Sequence, residues 1–127
     1  MYKLIYLLVI IVIVTGCATT QGKNNVQVCK EYEERLKQIE SIDIEKGVGK
    51  DDAKILAQEY FGNIFGGCGS VGEPIDKNDY WGFEAVVGIV GIKMDELIQV
   101  NKLTGVVSMK EHTTIASKEY FIQRTKD

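Results

Sequence analysis

The spacing of apolar residues changes once along this chain, from a helical spacing to an alternating one. Between residues 28 and 64, apolar side chains recur every three or four positions, in two stretches separated by Gly47-Val48-Gly49. From Tyr80 onward, aromatic and β-branched residues alternate with others. A period near 3.6 predicts amphipathic helices, and a period of two predicts strands with one buried face. The chain is therefore predicted to be α+β, with helices that precede a sheet.

Two helices are predicted ahead of the sheet. The apolar positions of the first helix are Val28, Tyr32, Leu36, Ile39 and Ile42. The second begins near Asp51 or Asp52, because either carboxylate can cap free backbone amides, and it ends at Gly66-Gly67. Its apolar stripe comprises Ala53, Leu56, Ala57, Tyr60, Phe61 and Ile64. Each helix therefore has one face suited to packing on a sheet.

The second half of the chain predicts three strands and a short helix. The first strand runs from Tyr80 to Ile92, and one of its faces carries Trp81, Phe83, Ala85, Val87 and Ile89. Leu97–Asn101 and Gly105–Met109 flank a turn-compatible stretch and form the predicted hairpin. Residues 66–79 are expected to be a loop, and Lys118–Arg124 a terminal helix.

The predicted architecture is one α+β domain, residues 26–127. Two N-terminal helices pack on a small antiparallel β-meander, and a short C-terminal helix follows. A meander leaves its outer strands unpaired on one side. The exposed sheet edges are therefore predicted docking sites for a partner, by strand addition.

The first sixteen residues differ in character from the rest of the chain. Lys3 is followed by eleven consecutive apolar residues, Leu4 to Val14, and then by small residues. As a helix, that run would rise about 16 Å, roughly half of a ~30 Å hydrocarbon core. A basic start, a short apolar stretch and small residues are typical of a secretory signal peptide, so residues 1–16 are expected to be removed.

The segment Val14-Thr15-Gly16-Cys17 resembles the lipobox of bacterial lipoproteins, in which an aliphatic residue, a small residue and Gly or Ala precede an obligatory cysteine. The resemblance implies cleavage before Cys17, attachment of membrane lipid to its thiol, and acylation of the new amine, for example with palmitate. Two or three acyl chains would make the attachment durable. Two alternatives stay open: an ordinary secretory signal with a coincidental cysteine, and an uncleaved anchor.

Lipidation would place the protein in the bacterial cell envelope. Ala18 stands where aspartate marks inner-membrane retention in enteric bacteria. In a cell with two membranes, the outer membrane is therefore expected, with the domain facing the periplasm. In a cell with one membrane, the domain would lie on the outer face of the cytoplasmic membrane. Residues 17–25 comprise the lipidated cysteine and a small, polar segment that is predicted to be a tether.

Removal of residues 1–16 would leave 111 residues, with 14 basic and 18 acidic side chains. That length suits one domain, and the negative balance argues against nucleic-acid binding, which needs a basic face. In an oxidising compartment, Cys29 and Cys68 form an even pair, so a disulfide is the simplest prediction. Closing this 40-residue loop would contribute roughly 4 kcal/mol. The alternative is two free or intermolecular thiols.

Few residues offer catalytic or metal chemistry. The single histidine, His112, has no Gly-x-Ser-x-Gly turn to act with, so a solvated loop histidine is predicted. The acidic stretch at residues 76–79 lacks the glycine and glutamate that a calcium loop requires. Residues 66–72 are rich in glycine but follow a helix and lack the ending of a phosphate loop. We therefore expect no enzyme activity, cofactor or metal.

The second half contains three segments in a characteristic order: Tyr80-Trp81-Gly82-Phe83, residues 98–107 (IQVNKLTGVV), and Glu119-Tyr120-Phe121-Ile122. The order resembles small immunity-protein domains from bacterial toxin systems, and it is similar to the peptidase-associated PepSY domains. The chain departs from both patterns, with Asn101 in place of aspartate and Leu103 in place of lysine or glutamate. Neither resemblance implies catalytic residues, and both imply a binding role.

The predicted function is that of a lipid-anchored envelope protein that binds a protein partner, as an inhibitory or immunity-like module. The candidate partner-binding residues are Trp81 and Phe83 on the aromatic strand and Asn101 and Thr104 in the hairpin. The aromatic residues could instead belong to the core. The alternative function is a structural or assembly lipoprotein of the bacterial envelope.

Overall fold

The computed structural model describes residues 30–66, 68–88 and 91–124. The predictions for the signal peptide, Cys17, the tether and Cys29 lie outside these residues. The chain divides into two units, Met1–Arg35 and Leu36–Asp127, and residues 30–35 of the first unit are helical. No helix in the described residues is long and apolar enough to cross a membrane.

Three α-helices and one short 3-10 helix lie in the described residues. They are α1 (residues 30–41), the 3-10 helix (Ile44–Lys46), α2 (Lys50–Phe65) and α3 (Lys118–Arg124). α2 ends at Gly66, whose φ of 71° is the left-handed conformation that glycine adopts without strain. At the end of α1, the Lys118 ammonium donates hydrogen bonds to the carbonyl oxygens of Glu40 and Ile42, at 2.8 and 2.6 Å.

Five strands of the described chain form one antiparallel sheet. They are β1 (Gly69–Val71), β2 (Ile75–Asp76), β3 (Tyr80–Val87), β4 (Ile92–Asn101) and β5 (Val107–Ser108). β1, β2 and β4 all pair with β3, and β4 also pairs with β5. Every pairing is antiparallel, as a meander requires.

The core lies between α2 and the inner face of the sheet. Alternate residues of β3 and β4 point to this face, and four of them have no exposed surface: Phe83, Ala85, Ile98 and Val100. α2 contributes Ala53, Leu56, Ala57, Tyr60 and Phe61. The α+β class is therefore confirmed. α2 packs on β1, β3, β4 and β5, whereas α1 reaches the core at its end, through Ile39 and the following Ile42.

Several predicted boundaries are wrong because pairing partners, which the local sequence does not show, define the strands. β1 and β2 lie in the segment predicted to be a loop. They are three and two residues long, too short for alternation to develop, and they form because β3 pairs with them. β3 ends at Val87, before a turn in which Gly88 has a φ of 76°. Ile89 lies outside the described residues.

Candidate functional site

The hairpin turn between β4 and β5 is built around Asn101. Its side-chain oxygen Oδ1 accepts hydrogen bonds from the backbone N–H groups of Leu103 and Thr104, both at 2.9 Å. The N–H of Gly105 donates to the Asn101 carbonyl at 2.9 Å, and Gly105 adopts a φ of 67°. These bonds fix the orientation of the Asn101 side chain, since its oxygen already has two donors.

A groove of about 320 Å³ lies beside this turn, on the face of the sheet that points away from α2. We call it the turn groove, and its lining residues are Asp79, Tyr80, Gln99, Asn101, Thr104, Val106 and Ser108. Asp79 is the one charged residue among them. The structure thus brings together two of the four candidate residues, Asn101 and Thr104.

The other two candidates, Trp81 and Phe83, point to the inner face of the sheet. Phe83 has no exposed surface, so it belongs to the core and offers nothing to a partner. The Trp81 indole N–H donates to the carbonyl oxygen of Val48 at 2.8 Å. The Lys102 ammonium lies 4.5 Å from the centre of the Trp81 ring and pairs with Asp76. Trp81 therefore joins the loop before α2 to the sheet.

A second groove, of about 590 Å³, runs along the first half of β4. We call it the edge groove, and it is lined by residues 92–97, 99 and 110–112. Within it, the β3–β4 register shifts so that residues 94–96 stand opposite Ala85 alone, which is a β-bulge. The Ile92 side chain is 68% exposed. Among the described strands, β5 pairs with β4 only at Gln99 and Val100, so this half of β4 has no strand partner on its outer side.

Two polar contacts hold the segment that follows β5, which supplies residues 110–112 of the edge groove. The Glu96 carboxylate accepts the backbone N–H of Glu111 at 2.8 Å. The buried Tyr60 hydroxyl donates to the Thr114 carbonyl at 2.7 Å. Burial raises the pKa of the Tyr60 phenol above its ordinary value of 10.0, although a backbone hydrogen bond with Met109 acts in the opposite direction. The phenol therefore remains a neutral donor at physiological pH.

The remaining reactive side chains lie apart from one another. Cys68 is exposed just before β1 and forms no disulfide within the described residues; its predicted partner, Cys29, lies outside them. His112 is half-buried, and its ring meets the edge of the Phe65 ring with centroids 5.7 Å apart, so it is more enclosed than a solvated loop histidine. Within the described residues, no group of three or more histidine, cysteine and acidic side chains could hold a metal ion.

Sequence reasoning missed five of the seven residues that line the turn groove: Asp79, Tyr80, Gln99, Val106 and Ser108. The signal that could have found Tyr80, Gln99 and Ser108 is the alternation itself. If Trp81 and Phe83 face inward, their even-numbered neighbour Tyr80 must face outward. The hairpin register then places Gln99 and Ser108, which are directly paired, on the same outward face.

The chain was compared with protein families, with curated proteins and with solved structures. The chain matches no family model. It matches no curated protein and no solved structure.

Proposed function

We propose that this protein is a lipid-anchored envelope protein that binds a protein partner through the edge groove, as an inhibitory or immunity-like module. Cys17 carries the lipid in this proposal. The domain then faces the periplasm from the outer membrane, or lies on the outer face of the cytoplasmic membrane where the cell has one membrane.

The composition of the edge groove carries the proposal. Protein interfaces combine an apolar centre with a polar and charged rim. Here the half-buried Leu97 and the exposed Ile92 supply apolar surface. The charged side chains of Lys93, Asp95 and Lys110 line the same groove. A protein surface with its own apolar side chain and charges of both signs would complement this lining.

The partner is expected to bind through side chains rather than by strand addition. A bulge bends a strand and interrupts the regular spacing of its free backbone groups. In the edge groove the bulge covers residues 94–96, and the Glu96 carboxylate already holds the opposite wall through Glu111. Sheet edges protected in this way resist pairing with another strand.

Substitution of Ile92 by glutamate is expected to weaken binding of the partner by about tenfold or more, because a charge would replace an exposed apolar anchor. The matched control is Ile115→Glu, since Ile115 is 65% exposed but lies outside both grooves. A photo-crosslinker placed at each position in cells identifies the partner, and titration of the purified partner against the full chain then measures affinity. Equal crosslinking from both positions, or none from Ile92, would contradict the proposal.

Substitution of Cys17 by serine is expected to abolish lipid attachment, because a hydroxyl does not replace the thiolate nucleophile. Cells fed radiolabelled palmitate should label the wild-type chain and leave the Cys17→Ser chain unlabelled. The matched control is Cys68→Ser, which should keep the label. Labelling of the Cys17→Ser chain would show that the lipobox interpretation is wrong.

A further inference from the structure

The charge of the turn groove restricts what it can bind. Among the described residues that line it there is no lysine, arginine or histidine, and Asp79 is the one acidic residue. An anionic ligand such as a phosphate would find no cation to pair with and would be repelled by Asp79. Charge complementarity therefore points to a ligand without negative charge.

The groove also offers many neutral hydrogen-bonding groups in a small space. Gln99 has an amide that can donate and accept, and the Ser108 hydroxyl can do both. The Thr104 hydroxyl oxygen accepts the Val106 N–H at 3.4 Å, and its proton can still be donated. Asn101 uses its oxygen Oδ1 in the turn, so its amide nitrogen is oriented in advance as a donor. A ligand that satisfies this set must itself carry several hydroxyl or amide groups.

Tyr80 adds a flat apolar surface beside these hydrogen-bonding groups. The position that a Cβ on Gly82 would occupy lies 3.7 Å from Cε2 of Tyr80. The ring therefore lies over the glycine, against the sheet, and is half-buried there. An aromatic ring held in this way can pack against the apolar face of a ligand while the neighbouring groups bond to its polar edge.

We propose that the turn groove binds a neutral sugar. A pyranose ring has one face of C–H groups and a rim of hydroxyls, which match the Tyr80 ring and the surrounding amides and hydroxyls. The volume of about 320 Å³ is at the lower end of the range for small-ligand sites and suits a short oligosaccharide. The two grooves share Gln99, but the sugar proposal does not rest on the protein partner proposed for the edge groove.

The test is a titration of the full chain, in a detergent without a sugar head group, with maltotriose and with a trimer of N-acetylglucosamine. Backbone and side-chain amide spectra should show saturable shifts at Tyr80, Gln99, Asn101 and Ser108 with at least one of the two sugars. Inorganic phosphate should produce no such shifts. The proposal is wrong if neither sugar gives saturable shifts, or if the shifts lie elsewhere in the protein.

A matched pair of variants distinguishes a loss of sugar binding at the turn groove from a loss caused by a general change in the fold. Ser108→Glu places a charge and extra volume inside the turn groove and should abolish the shifts. Ser70→Glu makes the same change at an exposed position of β1 outside both grooves and should leave them unchanged. Sugar binding that survives Ser108→Glu would overturn the assignment. Ile92→Glu should leave sugar binding intact, so failure of the protein-partner proposal would be distinguishable from failure of this one.

Discussion

Truncation of Leu56 to alanine is expected to lower the free energy of unfolding by about 2–5 kcal/mol. Leu56 has no exposed surface and lies in the middle of α2, facing the sheet. Its replacement removes buried apolar atoms and leaves a cavity that the surrounding strands cannot fill without moving. Urea denaturation, followed by the fluorescence of Trp81, the single tryptophan, measures the loss.

The same substitution at Leu103 is the matched control. Leu103 is 79% exposed at the tip of the hairpin, so its truncation should change the free energy of unfolding by less than about 0.5 kcal/mol. The contrast tests whether α2 is the helix that closes the core. Similar losses for Leu56→Ala and Leu103→Ala would show that α2 does not pack on the sheet as described.

The elements that can be predicted from the sequence are those whose periodicity is long enough to be recognised. α2 has 16 residues and buries five of them on one stripe, and Gly66 marks its end. Its start differs from the prediction, because the helix begins at Lys50 after Gly49 and neither Asp51 nor Asp52 is the capping residue. The β4–β5 hairpin is marked by Asn101 and Gly105, which the turn needs for its side-chain acceptor and its positive φ. In these places, local preference and tertiary packing favour the same structure.

The elements that cannot be predicted depend on partners distant in sequence. β1 and β2 exist because β3 lies beside them, and their own five residues carry no distinctive pattern. The bulge at residues 94–96 interrupts the alternation of β4, so the first half of that strand cannot be recognised from the sequence. Both grooves combine residues from the sheet and a following turn, so they become visible only when the register of the hairpin is known.

The residues of the candidate site, too, could be predicted only in part. Asn101 and Thr104 could be selected because they belong to a recognisable turn, and they do line one groove. Trp81 and Phe83 stand out by composition, and the alternation places both on one apolar face, which could belong either to the core or to a binding surface. The structure places both on the face covered by α2, where the indole of Trp81 bonds to Val48 and Phe83 joins the core.

Alanine at Gly69 is expected to destabilise the protein by at least about 2 kcal/mol, although Gly69 is exposed. Its φ of 134° is a conformation that residues with a side chain rarely adopt. A Cβ there would overlap the carbonyl oxygen of Val86 and lie 2.7 Å from Cζ of Phe61. Either β1 must separate from β3 or the core must move, and both changes cost stability.

The matched substitution, Gly62→Ala, should change the free energy of unfolding in the opposite direction. Gly62 lies inside α2, and a Cβ there would meet no atom within 4 Å. Alanine should therefore stabilise the protein by about 0.5–1 kcal/mol, since it restricts the unfolded chain and favours the helix. Urea denaturation of both variants measures whether each substitution raises or lowers the free energy of unfolding. If Gly69→Ala were as stable as the wild type, the close contact of β1 with β3 and Phe61 would be wrong, and with it the start of the sheet at Gly69.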